Sequence, residues 1–192
     1  LFQDIIAFEQ LRNARKLRDL TTLVAHQIGS ELSLNELANS LQINKATVER
    51  YLDLLEKSFV LFRISGFSRN LRKEVSKTMR YYFVDNGIRN AVINNFQAID
   101  QRSDRGALWE NFFVNERRRH HAYSNTGTQD YFWRTYDQQE IDLIEVGSDG
   151  SLVAFECKWQ DKKHRTPAAW KKAYPDTPVQ FVHPKNFMDF LI

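Results

Sequence analysis

Two carboxylates and a lysine stand among apolar residues in the stretch EIDLIEVGSDGSLVAFECKW, residues 140–159: Asp142, Glu156 and Lys158. Side chains alternate along a β-strand. Leu152, Ala154, Glu156 and Lys158 therefore share one face of the second apolar run, while Val153, Phe155, Cys157 and Trp159 share an apolar one. Setting residue 147 opposite 151 leaves Ser148–Asp149–Gly150 as a three-residue hairpin loop, which wants a glycine in the left-handed conformation at its end. The same register sets 142 opposite 156. A two-residue loop would put the carboxylates on opposite faces. The turn chemistry thus predicts Asp142 and Glu156 as cross-strand neighbours with Cβ atoms about 5 Å apart. Their charges would repel by roughly 3 kcal/mol at an effective dielectric of about 20. Lys158 or a divalent cation could neutralise them. Two carboxylates with open positions suit Mg²⁺, a hard ion that keeps waters. A lysine alongside could orient or deprotonate a water, or steady charge on a phosphate. The alternative is a buried Asp–Lys or Glu–Lys pair without a metal, and spacing alone favours it.

The elements that must position these residues divide the chain into a helical part, residues 1–98, and a second part, residues 99–192. In the first, Ser33 stands three residues before Glu36 in a capping-box arrangement, and Leu34, Leu37, Ala38 and Leu41 form an apolar face. After the short turn QIN, Val48, Tyr51, Leu52 and Leu55 make a second helical stripe. Two strand-like runs follow, VLFRISG and MRYYFVD. Helix, turn, helix and two strands resembles a winged helix-turn-helix over residues near 17–97, whose second helix would face a DNA groove. That helix carries acids as well as bases. The wing FSRNLRKEVSKTMR is more clearly basic, with Arg69, Arg72, Lys73, Lys77 and Arg80. Arg69, Arg72, Lys73 and Lys77 are expected to be exposed, and the wing either to grip phosphates or to form an ordinary solvated loop.

In the second part, DRGALWENFFVNERRRHH reads as a helix with Asp104 as a possible cap. Strands YFWRTY, EIDLIEV and SLVAFECKW follow. TPAAWKKAY reads as a helix with Pro167 at its first position, PVQFVHP as a strand and KNFMDFLI as a closing helix. This order describes an α/β sandwich around a small mixed sheet. Cations in RRRHH, residues 117–121, would complement a helix C-terminus.

Composition narrows the function classes. Of 192 residues, 42% are hydrophobic and 13% aromatic, enough for a buried core rather than disorder. The single cysteine, Cys157, excludes an internal disulfide framework and a cysteine metal cluster, and suits a reducing cytoplasm. No apolar run has transmembrane length. Net charge is +3, with 14 basic and 10 acidic residues over 1–98, and 13 and 14 over 99–192. Such a balance does not announce a nucleic-acid partner. The start, without Met and already helical in pattern, reads as a piece of something longer.

Asp142, thirteen residues and then Glu156–Cys157–Lys158 resembles the D…ExK signature of the PD-(D/E)xK nuclease superfamily, without the proline of its first motif. Glu110 in GALWENFFVNE stands where many members carry a further glutamate. The segments LNELANSLQINKATVERYLDLLEKSFVLFRI, RYYFVDNGIRNAV, LWENFFVNE and YFWRTYDQQEIDLIEV…VAFECKW together resemble the C-terminal region of a bacterial and archaeal AAA-type ATPase family. The resemblance implies a winged helix followed by a restriction-endonuclease-like mixed sheet flanked by helices. It implies Mg²⁺ or Mn²⁺ held by Glu110, Asp142 and Glu156, with Lys158 as the assisting catalytic group. DNA would be the partner, together with the N-terminal ATPase domain of the same protein. No Walker A motif occurs here, so ATP is not expected in this chain. The alternative is a catalytically inactive nuclease-like fold that contacts nucleic acid or protein.

Overall fold

A computed structural model of the chain describes residues 13–69 and 78–191. They cluster into two units, one of residues 13–63 and 81–96 and the other of residues 64–69, 78–80 and 97–191. The chain passes between the units within strands β1 (Leu61–Gly66) and β2 (Met79–Phe83).

The first unit holds helices α1 (Ala14–His26), α2 (Leu34–Leu41), α3 (Lys45–Lys57) and α4 (Asn86–Val92). Polar side chains cap all four, each satisfying a donor the helix leaves bare; Asn13 Oδ1 accepts from Lys16 N–H at 3.3 Å. Ser33 Oγ accepts from Glu36 N–H at 3.3 Å, Asn44 Oδ1 from Thr47 N–H at 2.7 Å, and Asp85 Oδ1 from Ile88 N–H at 3.0 Å. The apolar stripes face inward: Leu37, Ala38 and Leu41 on α2, and Val48, Tyr51, Leu52 and Leu55 on α3, are all buried. Arg89 is buried too, its Nε donating to Ala25 O at 2.9 Å.

The strands form one six-stranded mixed sheet in the order β2-β1-β3-β4-β5-β6, flanked by helices. Its remaining members are β3 (Gln129–Arg134), β4 (Glu140–Val146), β5 (Leu152–Cys157) and β6 (Val179–Val182). β3, β4 and β5 run antiparallel in sequence, and β1∥β3 and β5∥β6 are the parallel pairs. The two strands read as the wing of a winged helix are thus part of this sheet, with Ser65 and Gly66 opposite Tyr131 and Phe132. Phe67, next in the chain, packs with Trp133, Trp170 and Tyr174 in the second unit's core. A parallel partner more than sixty residues away leaves no trace in local pattern.

Helix α5 (Arg105–Ser124) covers one sheet face through Phe113, whose ring lies 5.4 Å from that of Phe155. On the other face Ile144, Ala154 and Val179 pack with Trp133, Trp170 and Tyr174 around α6 (Ala168–Ala173). Three expectations at element ends are corrected. Asp104 makes no side-chain cap to α5, because Arg102 holds its carboxylate through Nε and Nη2, both at 2.8 Å. Pro167 is the residue before α6, not its first. The closing helix is one 3₁₀ turn, Phe187–Phe190.

The β4–β5 hairpin pairs Leu143 with Phe155, Ile144 with Ala154, Glu145 with Val153 and Val146 with Leu152, the register that the loop chemistry predicted. Gly147 N–H donates to Ser151 O at 2.9 Å, Gly150 N–H to Gly147 O at 2.9 Å, and Ser151 N–H to Asp149 Oδ1 at 2.9 Å. Gly150 has φ +80, and a Cβ placed there would meet no atom within 4 Å. Its cost is therefore purely conformational. Gly150→Ala should destabilise the fold by about 1–2 kcal/mol, read by chemical denaturation, and a change near zero would show that the left-handed turn is not what holds the register.

Candidate functional site

The hairpin register carries Asp142, one residue before the Leu143–Phe155 pair, to the position opposite Glu156. Both are buried, at 6% and 9% exposure. The reach between strands is direct, since Asp142 Oδ2 accepts from the backbone N–H of Cys157 at 2.8 Å. Glu156 Oε1 accepts from Lys158 Nζ at 2.5 Å. Its other oxygen, Oε2, is buried and, among the described residues, has no hydrogen-bond partner. An unmet carboxylate oxygen away from water is expensive. Burial first, and the charge of Asp142 second, push the Glu156 carboxyl up to about 7. Burial also raises Asp142, against the opposing influence of Arg80 and the Cys157 N–H. For Lys158 burial acts downward, but the bond to Glu156 and the charges of Glu156 and Asp142 outweigh it and raise the ammonium.

The residue that sequence reasoning misplaced is Arg80. Counted from the sequence among the bases of the wing, it is buried, at 3% exposure. Its Nη2 donates to Glu140 Oε2 at 2.6 Å, and its Nη1 lies 3.7 Å from Asp142 Oδ1 and 3.8 Å from Glu110 Oε1. Its guanidinium covers the Phe132 ring at 4.5 Å. Arg80 thus brings Glu110, from α5, into the same cluster as Asp142 from β4. A signal was present: a charged residue inside the apolar strand MRYYF, which must find carboxylates if its neighbours are buried. Among the described residues, four carboxylates (Glu110, Glu140, Asp142 and Glu156) meet two cations, Arg80 and Lys158, in the ion pairs of this cluster. With all ionised, these six groups sum to two negative charges. That balance and the bare Glu156 oxygen suit one divalent cation with oxygen ligands.

Of the other predicted nucleic-acid contacts, Arg72, Lys73 and Lys77 lie outside the described residues. Arg69 is exposed, and its side chain lies along the second unit: Nη2 donates to Gly150 O at 3.3 Å and the guanidinium sits 5.9 Å from the Phe67 ring.

A second polar cluster, which the sequence did not announce, lies under α5. Glu145 and Asp130 are directly paired across β3 and β4. Both Glu145 oxygens are taken by Arg117, from Nε at 2.7 Å and Nη2 at 2.6 Å, and His121 Nε2 lies 3.0 Å from Oε1. Arg117 also donates to Phe190 O. Arg117 was expected merely to complement a helix end, but α5 continues to Ser124 and the guanidinium turns onto the sheet. One ligand atom each from His121, Asp130 and Glu145 lie within 4.8 Å of one another. With Arg117 on Glu145 and Arg118 3.5 Å from Asp130, this cluster already balances its charge. Burial pushes Asp130 up to about 6, against Arg118. Between its ordinary value of 3.8 and about 6 the folded chain therefore holds a proton that the unfolded chain has lost. Stability from this group is present below the lower value and is lost as pH rises through the upper one. Asp130→Asn should remove that dependence, so the variant should gain on the wild type between pH 4 and pH 7 in denaturation curves; parallel curves would contradict it.

Residues 1–98 match the family model described as a domain of unknown function, DUF8612, and residues 105–186 match a second, DUF4143. DUF4143 is commonly a C-terminal region of AAA-ATPase proteins. The chain is similar to an uncharacterized protein of Mycobacterium tuberculosis and to one of Mycobacterium bovis, each 30% identical over 147 residues, or 76% of this chain and 32% of the relative. An uncharacterized protein of Haemophilus influenzae is 22% identical over 98 residues, 48% of this chain and 24% of its own. The chain thus spans about a third of the length of the mycobacterial relatives. No solved structure matches. Among the described residues no helix is long and apolar enough to cross a membrane.

Proposed function

The chain belongs to the DUF8612 family, and we propose that its second unit carries a divalent-metal-dependent phosphodiesterase centre acting on DNA, within a protein that also works through an ATPase domain. The observation that carries this reading is the Asp142–Glu156 pair, with one buried Glu156 oxygen unmet and Lys158 bound to the other. Glu110, Asp142 and Glu156 would hold Mg²⁺ or Mn²⁺. A cation so held would supply Lewis-acid activation of a phosphoryl group. The chain's own groups have separate tasks. The Cys157 N–H fixes the orientation of Asp142. Glu156 keeps Lys158 charged at the edge of the cluster, where its ammonium, 35% exposed, can reach a phosphate oxygen and stabilise charge that develops there.

The test is cleavage of single- and double-stranded DNA with Mg²⁺ or Mn²⁺. Lys158→Ala should lose cleavage and keep its thermal stabilisation by metal. Loss of both, or of neither, would remove the lysine from the chemistry.

A second reading has its own observation. Arg80 already sits between Glu110 and Asp142, as it would in a nuclease-like module that uses ion pairs in place of metal and serves as a contact surface for nucleic acid or protein. Under this reading metal stabilises nothing, and Lys158→Ala is destabilised because Glu156 loses its buried partner.

A further inference from the structure

Arg80 has no counterpart in the motif that suggested the metal centre, yet it touches more of that centre's carboxylates than Lys158 does. Its environment is built for it: a ring beneath the guanidinium, Glu140 on Nη2 at hydrogen-bond distance, and Glu110 and Asp142 both beyond that distance from Nη1. The grip is asymmetric. Glu140 is held tightly and has a half-exposed side chain, whereas the two candidate ligands are held loosely and are nearly enclosed.

We propose that Arg80 is a built-in counter-cation of the metal centre, which keeps Glu110 and Asp142 in place without metal, yields them when a divalent cation binds, and is retained through both states by Glu140. This rests on the metal-centre reading above. Its consequence is an affinity threshold. Any divalent ion entering the cluster meets a fixed positive charge beside two of its three carboxylates, so binding is weaker than those carboxylates alone would give. Occupancy would then depend on whatever else lowers the local potential, and a DNA phosphate arriving with the ion is the chemistry that does so. Metal and DNA phosphate should each strengthen the other's binding.

The experiment is a Mn²⁺ titration by calorimetry on the 192-residue chain, with Asp142→Asn as the reference for loss of the site. Arg80→Gln should bind Mn²⁺ at least about tenfold more tightly than wild type, since a unit charge a few ångströms from the ion has gone. Arg80→Lys, which keeps the charge, should stay near wild type. Glu140→Gln, at a half-exposed side chain, tests the idea even if the Arg80 variants fail to fold. It should weaken Mn²⁺ binding by several-fold, because the guanidinium then leans more on Asp142 and Glu110. If Arg80→Gln folds, adding Glu140→Gln to it should weaken Mn²⁺ binding less than the same change weakens wild type, since part of the effect of Glu140 runs through Arg80. Wild type that binds Mn²⁺, Asp142→Asn that does not, and Arg80→Gln or Glu140→Gln equal to wild type would overturn the role of Arg80 alone. No Mn²⁺ binding by wild type or Arg80→Gln would overturn both this role and the metal centre.

Discussion

Asp142→Asn should abolish metal-dependent cleavage of DNA, a loss of roughly a hundredfold or more, while leaving the metal-free fold intact. The magnitude follows from position: changing groups that merely support a metal ligand costs about 10–100-fold, and Asp142 would be a ligand itself. The fold should survive because an asparagine Oδ1 can still accept the Cys157 N–H that Asp142 accepts at 2.8 Å. The substitution also removes a buried charge whose pKa burial has raised, so metal-free stability should be equal or higher. Circular dichroism and denaturation of the variant, beside a cleavage assay at saturating Mn²⁺, read both halves. A variant that cleaves as well as wild type would take Asp142 out of the site; one that fails to fold would make it a structural residue first.

The largest effect on stability should come from Arg117→Ala. Glu145 is 3% exposed, and both its oxygens accept from that guanidinium, with His121 Nε2 3.0 Å from one of them. Breaking one partner of a buried pair leaves an uncompensated charge and typically costs about 3–5 kcal/mol. The variant also loses the donor to Phe190 O and the guanidinium 5.2 Å from the Phe155 ring, contacts that tie the closing 3₁₀ turn and α5 to the sheet. Removing the stranded charge as well, in Arg117→Met with Glu145→Gln, should recover much of the loss. Urea denaturation of the single and double variants measures this directly. Equal destabilisation of the two would show that the packing of Arg117, and not its charge, matters.

Much of the site was legible because its geometry is set by a short-range feature. Gly150 in the left-handed region fixes a three-residue loop, the loop fixes the register, and the register puts Asp142 opposite Glu156. Caps at Ser33 and the stripes of α2 and α3 were legible for the same reason: donor, acceptor and apolar face all lie within a few residues. Arg80 was not, because its meaning lies in partners 30, 60 and 62 positions away at Glu110, Glu140 and Asp142. In sequence it looked like one more base in a basic loop. The parallel pairing of β1 with β3 hid likewise, and with it the entry of the two presumed wing strands into the six-stranded sheet. Arg117 was read from its place in a run of basic residues, when its neighbour across space, Glu145, decides its role.

If the Asp142–Glu156 cluster binds a divalent cation, thermal unfolding of the wild-type chain with and without millimolar Mn²⁺ or Mg²⁺ will register it. A cation that binds only the assembled carboxylates stabilises the fold by mass action, about 2.7 kcal/mol at a hundred times its dissociation constant. The melting temperature should rise with metal concentration in the wild type and stay flat in Asp142→Asn. A flat wild-type response at millimolar metal would contradict it, and would leave Arg80 and Lys158 as permanent partners of these carboxylates.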